Sequence, residues 1–436
     1  MKRQCIAVAV SGGRDSTALW HATARAAAGS ALQVVALHVH HGLQAEADEW
    51  VRHLHRQARR WSANGLPVSL SWQRLRSTPA MGDSIEAWAR RERYTALAEM
   101  ARDCGAGVVL LAHHRCDQAE TFLLQALRGA GPAGLAAMPR EALRDGIFWA
   151  RPWLDQPRQA IDAYVRRHRL GFVDDLSNAD RMLARNRLRH AVWPALEASF
   201  EHAATSLAAS ARRAQEAAEG LRELAEMDAQ RACTSPGRLD VPAWLALSPA
   251  RRANLLRSWL SGQGKAGAPE TLVQRLLQEL PEARSGAAWP WPDGSLRLHA
   301  GKLQIASAPC SQPASDAPLC IDLSRAGRIA VPTWCGTFEV RAVPSGGLPL
   351  QHLRRCELRV RSGGEQFQRS SKSVPRSLKK QFQEARVPAW QRGGPLVYGE
   401  GRLLFVPGLG IDSRVQARPG VPMLHLRWLP DDTPPA

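Results

Sequence analysis

The N-terminal third of the chain repeats one pattern, a short apolar β-branched run followed by a helical stretch. The runs fall at 5–10, 32–39, 68–72 and 108–112, and helical patterns follow at 17–28, 45–61, 84–104 and 117–128. Strands joined through helices lie parallel, because a parallel neighbour needs a crossover, and helices then cover both faces. The pattern therefore predicts an α/β fold with a doubly wound, mostly parallel sheet. Ligands of such sheets bind beyond the carboxyl ends of the strands. Three chemically unusual loops lie there: SGGRDS after the first run, HVHHGL after the second and AHHRCDQAET after the fourth.

In SGGRDS, Gly12 and Gly13 let the chain turn sharply and let backbone N–H groups approach a ligand. The helix predicted to start at Asp15 or Ser16 adds unpaired donors and a partial positive charge, so an anion is the expected guest. The stretch is not GxxxxGK[ST], which needs a lysine and wider glycine spacing, nor is it GxGxxG. The bland alternative is an ordinary strand-to-helix turn.

In AHHRCDQAETFLLQALRG, Asp117 and Glu120 stand three residues apart on one helical face, and Arg128 falls on the same stripe. Two carboxylates beside a phosphate-binding turn are placed to hold Mg²⁺, which takes a few carboxylates plus substrate oxygens. The alternative is helix capping, since acids offset the dipole in a first turn. His38, His40, His41, His113 and His114 lack the spacing of a zinc site, and a hydrogen-bonding or phosphate-contacting role fits them better. DSIEAWARRERYTAL opens with a capping box, Asp83 with Glu86, and sets Arg90, Arg93 and Tyr94 on one face. Arg90 can stabilise charge on a transferring phosphoryl group or form a surface pair with Glu86.

The 436 residues allow two or three domains, and the net charge of +18 suits a polyanionic partner, although a GC-rich genome alone also favours arginine. Beyond Pro194, an Ala-, Glu- and Arg-rich helical stretch leads to SPARRANLLRSWL and ETLVQRLLQEL; a Pro- and Ser-rich linker, 307–318, then precedes a β-rich or α+β remainder. The expected domains are 1–215, a helical 216–306 and a small C-terminal 319–436. Eight cysteines without a CxxC pair fit reduced thiols. With neither a signal peptide nor an apolar span in the sequence, the expectation is a soluble cytoplasmic protein.

SGGRDS resembles the PP-loop of the N-type ATP pyrophosphatases. HVHHGL, IEAWARRERY, AHHRCDQAETFLLQALRGAGPAGLAAM, RPWL and DDLSNADRMLARNRLR resemble, in order, the signatures of the tRNA(Ile)-lysidine synthase family. SPARRANLLRSWL and SLKKQFQEARVPAWQRGGPLVYGE are similar to its substrate-binding and C-terminal domains. The resemblance implies ATP and Mg²⁺ as cofactors, and an isoleucine tRNA with a CAU anticodon and free L-lysine as partners, and it admits a homodimer. It implies adenylation of the wobble cytidine C2 oxygen with release of pyrophosphate, then displacement of AMP by the lysine ε-amine. Ser11, Gly12, Gly13, Arg14, Asp15 and Ser16 would bind ATP with His41 at the neighbouring loop, and Asp117 and Glu120 would hold Mg²⁺. Arg90, His113 and Arg128 would stabilise phosphate or intermediate. Asn178, Arg185, Asn186 and Arg189 would meet RNA or the active site, and Arg376, Lys379 and Lys380, with Arg369 and Lys372 nearby, would grip tRNA. Cys116 departs from the acid that many relatives carry there. The rivals are a thiolation enzyme of the same superfamily, which would need clustered cysteines, an amidotransferase-type synthetase, which would need a glutaminase domain, and a non-catalytic RNA-binding protein.

Overall fold

The computed structural model describes residues 4–40, 42, 47–75, 85–173, 184–233, 235, 237–263, 269–292, 294–307, 318–418 and 420–430. His41, Asn178 and Asp83 lie outside them, as does the Glu86 side chain. The chain forms two compact units, Met1–Leu221 and Arg222–Ala436.

The first unit contains β1 (Cys5–Ala9), α1 (Arg14–Ala27), β2 (Gln33–His40), α2 (Ala47–Ala63), β3 (Val68–Arg74), α3 (Ile85–Asp103), β4 (Ala106–Leu110) and α4 (Arg115–Leu127). It continues through α5 (Pro132–Leu135), β5 (Glu141–Arg144), β6 (Ile147–Ala150) and α6 (Arg158–His168). The six strands lie in the order β3-β2-β1-β4-β6-β5, parallel except for β5 against β6. Alternation along the strands splits the core into two layers. Val8, Val34 and Ala36 pack under Trp20 of α1, Leu54 and Trp61 of α2 and Ile161 of α6. Ala7, Val35, Leu37 and Val109 pack against Leu97 and Met100 of α3.

The sequence reading places α1 one or two residues late: it starts at Arg14, with Gly13 as an extended N-cap. The β5–β6 hairpin escaped that reading although its turn, Asp145-Gly146, has φ of 52° and 77°, the conformation that Asp-Gly favours in two-residue hairpins.

In the second unit, helices Pro249–Ser261 and Glu270–Glu279 pack with a four-stranded antiparallel sheet that includes Ala288–Trp291, Gly294–His299 and Lys302–Ser307. The expected helical middle thus also carries a sheet. Farther along, five-stranded and four-stranded antiparallel sheets share one core around Phe338, Leu358, Val397 and Leu426. No helix among the described residues is long and apolar enough to cross a membrane. Cys5, Cys104, Cys116, Cys233, Cys320 and Cys356 are free thiols, but Cys335 is disulfide-bonded. That corrects the expectation of reduced thiols throughout; spacing in sequence does not report which thiols fold close together.

His21 lies in the α1 core, its Nδ1 2.9 Å from the Tyr164 hydroxyl. Burial, then the charges of His168 and Arg25, push its pKa down to about 4. The unfolded chain takes up this proton near pH 6.5, so folded-state stability falls as pH drops from about 6.5 to 4. His21→Gln is expected to flatten that slope by up to one proton, about 1.4 kcal/mol per pH unit, in urea unfolding across the window. An unchanged slope would assign the acid sensitivity to other groups.

Candidate active site at the carboxyl ends of the strands

The turn after β1 is built from its own hydroxyls. Ser16 Oγ accepts from Ser11 N–H at 3.2 Å and donates to the Gly13 carbonyl at 3.0 Å, and Thr17 Oγ1 donates to the Gly12 carbonyl at 3.2 Å. Gly12 has φ of 96°, where a side chain would be strained. Arg14 is engaged to one side of the turn: its Nη1 bonds Asp162 Oδ1 at 2.6 Å and its guanidinium lies 5.6 Å from the Phe172 ring centroid.

Asp15 stands at the start of α1. Its Oδ1 is buried with no hydrogen-bond partner, and burial raises its pKa, with His114 opposing that shift and Asp117 adding to it. The bridge to Asp117 is His114, to which the sequence reading gave a hydrogen-bonding or phosphate-contacting role without placing it among the site residues. Its Nδ1 accepts from Cys116 N–H at 3.2 Å, which leaves Nε2 as the ring's donor. That nitrogen is 3.7 Å from Asp15 Oδ2 and 3.5 Å from Asp117 Oδ2. Asp117 Oδ2 in turn accepts from His114 N–H at 3.0 Å, closing a capping box with histidine as the cap. Burial pushes the Asp117 pKa up, but His114, Arg185 and His113 outweigh it and the net shift is downward.

Glu120 is 2% exposed. Two arginines from beyond α6 neutralise it: Arg185 Nε donates to Oε2 at 2.9 Å, and Arg189 donates to Oε1 and Oε2, each at 2.8 Å. Arg185 Nη2 also reaches Asp117 Oδ1 at 2.9 Å. The helical turn Ala184–Arg187 and the π-helical turn Leu188–Val192 that follows put both arginines on one side, and Asn186 between them is buried. Gln118, the residue between the two acids, instead clamps the chain ahead of β5, exchanging bonds with the Met138 N–H at 3.0 Å and carbonyl at 2.9 Å.

His113 is buried beside this cluster with Nδ1 unpartnered. Burial first, then Arg151, Arg185 and Arg90, push its pKa down to about 3 against the pull of Asp117, so it is neutral. Arg90 lies 5.4 Å from the Tyr94 ring. Arg151, the arginine of RPWL, is 5% exposed and bonds the Pro139 carbonyl at 2.8 Å. Burial raises the Cys116 thiol pKa, with Glu120 and Asp117 reinforcing the shift, so it stays protonated. Arg128 is not brought into the cluster: it is the exposed C-cap of α4, about three turns from Asp117. His38 and His40 are held internally, by the Val10 carbonyl at 2.8 Å and by Asp48 at 3.1 Å. In the second unit, Arg369, Lys372, Lys379 and Lys380 are exposed, and Arg376, also exposed, pairs with Glu384.

The fit for Mg²⁺ can be read from the oxygens. Asp15 Oδ1 is bare and Asp117 lies beside it, which suits an ion that takes one or two carboxylates plus phosphate oxygens. Both Glu120 oxygens are occupied by guanidinium groups. Among the described residues no cluster of three or more His, Cys, Asp and Glu side chains forms a metal cage.

Residues 1–196 match the PP-loop domain model, which defines the class: a PP-loop nucleotide-binding domain. Residues 239–304 match the TilS substrate binding domain and residues 356–428 the TilS substrate C-terminal domain. The tRNA(Ile)-lysidine synthase of Ralstonia nicotianae is 40% identical over 98% of this chain and 92% of that protein. Those of Burkholderia mallei and Alkalilimnicola ehrlichii are 37% and 35% identical, over 98% and 97% of this chain and 93% and 94% of those proteins. The chain belongs to the tRNA(Ile)-lysidine synthase family.

Replacing Glu120 by Gln leaves two guanidinium groups facing a neutral amide. With the arginine side chains still 28–29% exposed, the expected loss of stability is about 1–3 kcal/mol. Pairing it with Arg189→Gln should lose at least about 0.5 kcal/mol less than the two single losses summed. Additive losses in urea unfolding would show that the pair is not coupled.

Proposed function

We propose that the chain is a C–N bond-forming ligase that joins lysine to C2 of the wobble cytidine of an isoleucine tRNA with a CAU anticodon, consuming ATP and releasing AMP and pyrophosphate. The observation that carries this reading is the set of acids and arginines facing the PP-loop turn, in a chain that aligns with lysidine synthases over nearly its whole length.

In the first step the C2 oxygen attacks the α-phosphorus of ATP and pyrophosphate leaves. The Gly13 amide and the α1 N-terminus supply donors and positive potential for the phosphates. Arg185, Arg189 and Arg90 stabilise the charge that develops on the transferring group. Asp15 and Asp117 would hold Mg²⁺, and Glu120 would join them once its arginines turn to phosphate. When bound, the ion neutralises phosphate charge. In the second step the lysine ε-amine attacks C2 and AMP leaves. Free lysine is an ammonium with a pKa of about 10.4, so it must lose a proton before attack. Neutral His113 offers a hydrogen-bond acceptor beside the cluster. Ser11, Ser16 and Arg14 shape the ATP turn, His41 lies at the neighbouring loop, and Arg128 and Asn178 complete the proposed substrate contacts. The domain division 1–215, 216–306 and 319–436, a homodimer and a cytoplasmic location belong to the same proposal.

The test is mass analysis of anticodon-loop fragments after incubation of the tRNA with ATP, Mg²⁺ and isotopically labelled lysine. A labelled gain of one lysine residue on the wobble cytidine is the expected outcome. A sulfur-bearing product, or none under conditions in which the protein binds both ATP and tRNA, would overturn the assignment.

The proposed tRNA grip has its own signature. Lys379 and Lys380 stand exposed on the helix Leu378–Glu384. Changing them to Ala should flatten the log–log salt dependence of tRNA binding by about 0.7–0.9 for each phosphate that a lysine neutralises. Equal slopes for the variant and the parent chain would mean that these lysines only face solvent.

A further inference from the structure

The segment after α6 runs back to the PP-loop. Arg169 caps α6 in the left-handed conformation, φ 47°, and the Leu170 N–H returns to the Val165 carbonyl at 3.1 Å. The turn directs residues 170–173 past the start of α1. There the Val173 N–H donates to the Gly12 carbonyl at 2.9 Å. One side chain of α2 takes hold of Gly171 and a second packs beside it. Gln57, itself 8% exposed, donates from Nε2 to the Gly171 carbonyl at 2.7 Å. His53, one turn earlier on the same helix, places its Cε1 3.6 Å from where a Cβ on that glycine would stand. Phe172 and Asp162 hold Arg14 on the other side of the turn.

We infer that residues 170–173 are a strap that holds the PP-loop ready for ATP, and that Gln57 is a positioning residue for ATP binding that acts through Gly171 and Val173 without touching the nucleotide. The inference rests on the PP-loop reading. Its physical basis is the planar trans peptide: the Gly12 carbonyl and the Gly13 N–H point in opposite directions, so fixing the carbonyl fixes the amide. Two adjacent glycines otherwise sample many orientations, and an anion-binding turn needs one. The strap adds a backbone restraint to those that Thr17 Oγ1 places on the same carbonyl at 3.2 Å and Ser11 Oγ on the Gly13 N–H at 3.3 Å. Gln57 reaches it over 114 residues of sequence, which makes the interaction tertiary.

The strap acts on ATP placement, so it should affect adenylation and leave the lysine step alone, because ATP has been consumed by then. In the full-length protein, Gln57→Leu removes the donor at similar volume. The expected result is a rise of about tenfold in KM for ATP during tRNA adenylation, the effect of removing one buried hydrogen bond. The rate at which lysine discharges preformed adenylated tRNA should stay within about twofold of the parent chain, a difference of at most about half a kcal/mol in barrier. Amide exchange at Val173, followed by mass spectrometry, should quicken in the same variant. If Gln57→Leu does not fold, Gln57→Asn keeps polarity but falls short of Gly171, and the same comparison applies. An unchanged KM for ATP despite faster Val173 exchange would overturn the inference, as would a parallel fall in both steps. Parent protein that binds no ATP would remove the PP-loop reading and the strap with it. Parent protein that adenylates tRNA without forming lysidine would remove the assigned product alone, and the KM comparison would still decide the strap.

Discussion

A carboxylate shut off from water stays ionised only where cations and hydrogen-bond donors replace the water, and the first unit is organised around that requirement. Glu120 is almost fully buried and Asp117 is nearly so. Their compensation comes from Arg185 and Arg189, which lie 65 and 69 residues farther along the chain from Glu120. Between them the chain must make the β5–β6 hairpin and α6 before the arginines can arrive. The acids therefore tie the end of the domain to the carboxyl end of β4, and Glu120 without its arginines would be a buried charge without an answer.

The same helix start serves several purposes because each of its residues has a separate partner. His114 caps it and carries its Nε2 toward Asp15, linking the β4 loop to the β1 loop. Gln118 fixes the Met138 backbone, and Gln215 of the helix Ala203–Ala232 adds bonds to the Ala136 and Met138 carbonyls at 2.7 and 2.9 Å. The turn around Ala137, whose φ is 52°, is thus held from two sides. On α4 the acids thus meet cations, while the amide of Gln118 holds the backbone in register.

The strands and helices of the first four β–α repeats were legible because each is long enough to show its period and each loop breaks it. Asp15, Asp117 and Glu120 were legible as candidates for the same reason, since they lie in the opening turns of the helices that follow β1 and β4. His114 was not, because imidazole is outside the usual Ser, Thr, Asp and Asn cap set, and only the fold aims its free nitrogen at two acids. The antiparallel sheet of the middle segment was hidden by short strands such as Ala288–Trp291, with a proline at 290. The Gln57–Gly171 and Arg14–Asp162 pairs, separated by 114 and 148 residues, leave no local pattern at all.

The arrangement also lets the arginines hold two acids and keep donors to spare. A guanidinium has five donors in a planar fork, so bonds from Nε and Nη2 to carboxylates do not exhaust it. Arg185 and Arg189 keep 28% and 29% of their side-chain surface exposed, whereas Glu120 keeps 3%. The acids thus hold the arginines from behind and leave their outer faces toward solvent. A lysine in either place would present one mobile point charge, which could not answer two carboxylates in fixed directions and an incoming anion at once.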